Sequence, residues 1–166
     1  MRTVKDVVVI AFLSAILTVG KMSLSAVPNV EVVSLLFILY TVVFGWRYGL
    51  LTAIVFATTE ILIWGLGLWT VGYYLIWPIL VLWTSWLPVQ FRNLFGYTAL
   101  SGAFGFLFGL FFAIYTAPLL NVSIGLYWLN GIMFDVVHMV GNIVVMLLLY
   151  VPTRRGLEFV KERMER

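Results

Sequence analysis

Apolar residues run together along this chain in six blocks, broken by short polar or turn-forming stretches. The blocks fall near residues 7–24, 32–46, 49–66, 71–88, 97–117 and 132–151. A helix that crosses the hydrocarbon core needs about 20 mostly apolar residues, with a range of roughly 17 to 25. Each block approaches that length, so the pattern predicts an all-α integral membrane protein, a compact bundle of six transmembrane helices. The second block is the shortest. It crosses if it begins at the Pro28-Asn29-Val30-Glu31 turn and the bilayer thins slightly around it, because a small mismatch costs little; Pro28 would end the stretch before it. After the last block, residues 152–166 form a tail in which charges mix with Leu157, Phe159, Val160 and Met164. Two readings of the tail stand: a short amphipathic helix on the headgroups, and a frayed solvated end. No repeat and no Pro, Gly or Ser-rich linker divides the chain, which reads as a single domain over 1–166.

Six spans put both ends on one side, and the basic residues choose the side. Arg2 and Lys5 precede the first block, Arg47 separates the second from the third, and Arg92 the fourth from the fifth. Arg154, Arg155, Lys161, Arg163 and Arg166 follow the sixth. Nine of the ten basic residues therefore share a face, predicted to be cytoplasmic at the plasma membrane, and Lys21 is the exception. Adding or losing a span would scatter these charges. Reading the first block as a signal peptide cleaved near Ser25-Ala26 would do so too, and Lys21 would interrupt it just before that site. The first block is expected to be a mature span.

Composition narrows the chemistry. With 63% apolar and 10% charged residues, a water-soluble globule is excluded. Seven Trp, thirteen Phe and eight Tyr exceed what lipid solvation requires, which points to rings at the membrane interface or around a cavity. The absence of cysteine removes disulfides, thiolate nucleophiles and cysteine-ligated metal sites. One histidine and no cysteine leave no metal-ligand spacing. The net charge of +3 reflects orientation rather than a nucleic-acid surface. No catalytic residue, metal or cofactor is expected.

An ionisable group inside a span costs about 2.5 to 3.5 kcal/mol and is a functional candidate by default. Glu60 lies late in the third block, and Asp135 and His138 early in the sixth, so all three fall in the outer half. Trp64, Trp69, Tyr73, Tyr74 and Trp77 stand near them, with Tyr127, Trp128 and Asn130 before the sixth block. Asp135, His138 and Asn142, at i, i+3 and i+7, share one helix face. Either this stripe points into a solute cavity, or Asp135 and His138 satisfy each other while Asn142 bonds to a neighbouring helix. For Trp69, Tyr127 and Trp128 an interfacial belt is the better reading; Tyr73, Tyr74 and Trp77, beside Pro78, are candidates for solute contact where a kink opens room. Small residues at spacing four permit close helix contact: Ala11 and Ala15, Ala53 and Ala57, and Ser101, Gly105 and Gly109. Internal packing explains the last group, whereas an external partner is open for Ala11 and Ala15.

Together these features resemble the substrate-binding S component of an energy-coupling factor (ECF) vitamin transporter, over essentially the whole chain. The resemblance is carried by size, six spans with both ends inside, Ala11-x-x-x-Ala15, the stretch from Gly20-Lys21 through Pro28-Asn29-Val30-Glu31 to Tyr40 and Gly45, and Phe134-Asp135-x-x-His138-x-x-x-Asn142. It implies a protein that binds a vitamin or precursor in an outward pocket and hydrolyses nothing itself. Ala11 and Ala15 match the family's pair that packs on a transmembrane scaffold subunit, which carries two cytoplasmic ATPases. The resemblance implies a toppling movement that delivers solute inward, with Lys21 to Glu31 as a lid in which Lys21, Asn29 and Glu31 gain a gating or ligand role; the alternative for Asn29 is a cap on the second helix. The solute expected is pyridoxine-like, hydroxymethylpyrimidine-like or cobalamin. Glu60, Trp64, Tyr73, Tyr74, Trp77, Asp135, His138 and Asn142 are the expected substrate-binding residues. A stand-alone proton-coupled carrier and a small membrane enzyme are the rival functions.

Overall fold

The computed structural model describes residues 4–27 and 29–165; Arg2, Pro28 and Arg166, all used above, lie outside the described residues. The described chain is helical nearly throughout: α1 (Val4–Ser23), α2 (Val33–Phe44), α3 (Trp46–Trp64), α4 (Leu68–Trp86), a 3-10 turn at Val89–Phe91, α5 (Leu94–Leu119) and α6 (Ile124–Glu165). Five of the six α-helices are long and apolar enough to cross a membrane, the signature of a multi-pass membrane protein.

The exception is α2. Its 12 residues reach about 18 Å at 1.5 Å per residue, well short of a hydrocarbon core of about 30 Å. The second block therefore does not form a full-length helix over 32–46. Gly45 stops it at φ 96°, and Gly65 likewise ends α3 at φ 84°, a region that favours glycine. What α2 lacks in length it makes up in enclosure: it packs on all five other α-helices, and only Val42 and Phe44 are partly exposed. The bundle is thus an arc of α1, α3, α4, α5 and α6 around a central α2. At the two ends of the arc, α1 and α6 make no helix-to-helix packing.

Directions alternate along the chain. Ser14 and Lys21 of α1 meet Thr52 and Glu60 of α3, so these helices run together. Ser34 and Val43 of α2 meet Asn142 and Lys161 of α6, another parallel pair. Thr58 meets Tyr74 across the antiparallel pair α3 and α4. The start of α1 and the last turns of α6 lie on one side of the bundle, where Lys5, Asp6, Lys161 and Met164 line one cavity. Among the described residues, the basic side chains other than Lys21 belong to helix ends and turns on this side, the basic end. Lys21 sits at the opposite, distal end.

The tail is neither of the two forms expected. Residues 152–165 continue α6 through Pro152, and residues 124–131 extend it at the other end, making one helix of 42 residues. Leu157 is buried, Met164 packs against the core, and Lys161 Nζ donates to the Val43 carbonyl at 2.8 Å. That carbonyl belongs to the last turn of α2, where no helical partner remains and a cation is favoured. Residue burial and one capping charge hold the tail against the bundle where composition suggested solvent or headgroups.

Candidate functional site

At the distal end, residues 24–27 and 29–32, between α1 and α2, border a chamber of about 330 Å³. From the loop and its flanks come Lys21, Leu24, Ser25, Val27, Asn29, Val30 and Glu31. Tyr73 and Trp77 of α4, Phe108 of α5, and Phe134 and His138 of α6 form the walls. Below it, the Trp77 ring lies against Phe37 (5.2 Å between centroids), Phe104 (5.8 Å) and Phe56 (6.2 Å). This closed aromatic layer is a floor between the chamber and the basic half. Pro78 follows Trp77 inside an unbroken α4.

The loop is fastened at both ends. Lys21, in the last turn of α1, pairs with Glu60 of α3, whose carboxylate is 0% exposed. The Lys21 ammonium also stands 4.8 Å from the Trp69 ring centroid, 5.2 Å from Tyr73 and 5.9 Å from Trp64, within the reach of cation–π attraction. At the other end of the loop, Glu31 Oε1 lies 3.4 Å from His138 Nε2, and Glu31 Oε2 accepts from the Ser34 amide at 2.9 Å. Glu31, rather than Asn29, therefore caps α2. Burial pushes the Glu31 carboxyl up, but the hydrogen bond and charge of His138 and the bonds from Ser34 outweigh it and hold the group below its ordinary range. Between these anchors Asn29 adopts φ 61°, a left-handed conformation that Asn tolerates. Its carbonyl oxygen would lie only 2.7 Å from a Cβ placed on Gly141. The glycine in α6 is what lets the loop bridge the open side of the arc.

The polar stripe on α6 separates into three different environments. Asp135 does not line this chamber and does not bond His138. It accepts from the Gly109 amide at 2.8 Å and from Trp128 Nε1 at 2.7 Å, so Trp128 is tied inward rather than serving only as a belt residue. His138 does line the chamber, its ring 4.8 Å from Phe108. Asn142 donates to the Ser101 carbonyl at 3.1 Å and to Ser34 Oγ at 3.3 Å, a buried link among α2, α5 and α6. The glycines of α5 explain this contact: a Cβ at Gly109 would meet the Asp135 carboxylate at 2.6 Å, and one at Gly105 would meet Asn142 at 2.9 Å.

The remaining candidates divide likewise. Tyr73 and Trp77 are chamber walls. Tyr74 is turned toward α3, its hydroxyl 2.7 Å from that of Thr58. Glu60 and Trp64 stand behind Lys21 outside the chamber, and Trp64 is 55% exposed. Ala53 and Ala57 are fully buried, whereas Ala11 and Ala15 lie on the exposed face of α1. Phe108 was hidden among thirteen phenylalanines, and Val33, which also lines the chamber, within a continuous apolar run; neither carried a signal beyond hydrophobicity. Among the described residues, no group of three His, Asp or Glu is placed to hold a metal.

A second chamber of about 230 Å³ adjoins the first, lined by Trp69, Phe108, Gly109, Phe112, Tyr127, Trp128, Gly131, Phe134 and Asp135. The geometry suits enclosure of a small, flat, polar-edged molecule between aromatic rings. No family model matches this chain, and neither the curated proteins nor the solved structures contain a match.

Proposed function

We propose that this protein is a membrane-embedded substrate-binding subunit of the ECF type. In this reading the basic end faces the cytoplasm, the five long helices cross the plasma membrane around the enclosed α2, and the distal chamber takes up a vitamin or vitamin precursor from outside. The observation that carries the reading is the chamber of about 330 Å³ walled by aromatic rings of α4, α5 and α6, beside a loop anchored at both flanks through charged side chains. That volume lies at the small end of the roughly 300–1,000 Å³ typical of small-molecule sites. Aromatic walls supply stacking and cation–π surface, and Glu31 and His138 supply polar contacts, a combination suited to a protonated heterocycle.

Delivery then falls to partners. A transmembrane scaffold and two ATPases provide the energy, the subunit topples against them, and the exposed Ala11 and Ala15 offer a close-packing surface on α1. A proton relay is supported less well, because Glu60, Asp135 and His138 each have a separate partner. The decisive experiment is mass spectrometry of small molecules released from the gently purified protein. A pyridine or pyrimidine at near-stoichiometric amount is the expected result. Uptake into vesicles by the chain alone, driven by a pH gradient, would overturn the proposal in favour of a carrier. Copurification with a scaffold and two ATPases is expected to be lost when Ala11 and Ala15 are both replaced by Trp.

A further inference from the structure

The two distal chambers share two lining side chains, Phe108 and Phe134. Their rings stack with centroids 6.5 Å apart and planes 30° apart, forming a wall between the spaces. Phe108 is held from several sides, by Trp77 at 5.7 Å, Phe112 at 5.2 Å and His138 at 4.8 Å. Phe134 is 47% exposed and leans on Phe108 and His138. It is the half of the wall whose removal disturbs the core least. Behind it the second chamber is aromatic, and its one charged group, Asp135, is already bonded to Gly109 and Trp128. A Cβ on Gly131, which lines that chamber, would meet nothing within 4 Å, so a larger side chain can be placed there without a clash at Cβ.

We infer that Phe134 sets the upper size limit of the solute, confining it to the first chamber and restricting it to single-ring heterocycles. The inference deepens the proposed function and rests on that reading. Its physical basis is volume: Phe108 and Phe134 stand between about 330 Å³ and about 230 Å³, and a ring system too large for the first space reaches the second only through the volume these side chains occupy. A corrinoid or a fused three-ring solute needs the second space; a substituted pyridine or pyrimidine does not.

The test compares wild type, Phe134→Ala and Phe134→Ala/Gly131→Phe, each full-length in detergent. The probes are pyridoxine and 4-amino-5-hydroxymethyl-2-methylpyrimidine as single rings, and riboflavin as a three-ring probe whose fluorescence reports stacking. Phe134→Ala is expected to bind riboflavin at least tenfold more tightly than wild type, and the Gly131→Phe addition, which refills the second chamber, is expected to abolish that gain. Equal riboflavin affinity in wild type and Phe134→Ala overturns the inference, as does a gain that survives Gly131→Phe. Phe134→Leu, a smaller deletion, should show a smaller gain in the same direction and serves if the alanine variant unfolds. Failure of wild type to bind either single-ring probe counts against the proposed function, while the riboflavin comparison still decides the role of Phe134.

Discussion

The loop beside the chamber ends in two charged contacts, and they are built differently. At its start, Lys21 belongs to a helix and meets a carboxylate with no solvent exposure inside a cluster of three aromatic rings. At its end, Glu31 belongs to the loop itself, meets His138 at 3.4 Å, and spends its other oxygen on capping α2. The first contact is costly to break because it would strand a buried charge. The second lies on the chamber, since both of its members line it, so a polar group entering there would compete for either one. One end of the loop is a post and the other a catch.

Removing Lys21 should therefore produce the largest effect. Lys21→Ala leaves Glu60 buried and unpaired, with an expected loss of about 3–5 kcal/mol, read as a fall in thermal unfolding temperature in detergent. Lys21→Met combined with Glu60→Leu should recover most of that loss, and a double variant as unstable as Lys21→Ala would show that the pair is not the cause. Asp135→Ala ranks next. It orphans the Trp128 indole N–H, at about 1–3 kcal/mol, and removes the added acceptor at the Gly109 amide, so stability should drop while affinity for a bound solute shifts less than tenfold. An affinity loss without destabilisation would return Asp135 to the binding surface.

At the catch, Glu31→Gln keeps the shape and removes the charge. Solute affinity should fall about tenfold, near 1.4 kcal/mol, with the unfolding temperature almost unchanged. The smallest expected effect is of acid. Because the folded Glu31 carboxyl is held below its ordinary value, its contribution is complete above the unfolded value of about 4.3 and is lost only as pH falls through the lower folded value. Hydrogen exchange in residues 24–31, corrected for intrinsic rate, should stay flat between neutrality and about pH 5 and accelerate only below that. Acceleration already at pH 6 would assign the closure to another group.

The difference between post and catch also explains what could be read from residues alone. Helix identity was legible because α1 and α3–α6 are continuous apolar runs, and their bounds fall within a few residues of the blocks apart from the extensions of α6. Those extensions were not, since Pro152 and the charges after it resemble a helix end; packing of Leu157 and Met164 overrides both. Lys21 and Glu60 were each conspicuous, one as the sole distal basic residue and the other as an acid within a span, yet their pairing across 39 positions required the parallel setting of α1 and α3. Asp135 misled because its spacing with His138 is regular, while its bonds go to a backbone amide that only Gly109 leaves accessible. Gly141 gave no warning at all: its role is defined by a carbonyl from a distant loop.

The short, enclosed α2 has a consequence for how the chain enters the bilayer. A segment of 12 residues falls below the length that insertion machinery recognises as a stable span, and in the finished bundle nearly all of it faces protein rather than lipid. Its lateral partition into lipid must therefore be cooperative, with α1, α2 and α3 released together after α3 has emerged from the ribosome. A chain arrested shortly after Gly45 should remain extractable by alkaline carbonate to a greater degree than one arrested after Gly65. Membrane thickness, in turn, acts on the outer arc of helices and reaches the loop beside the chamber only through them.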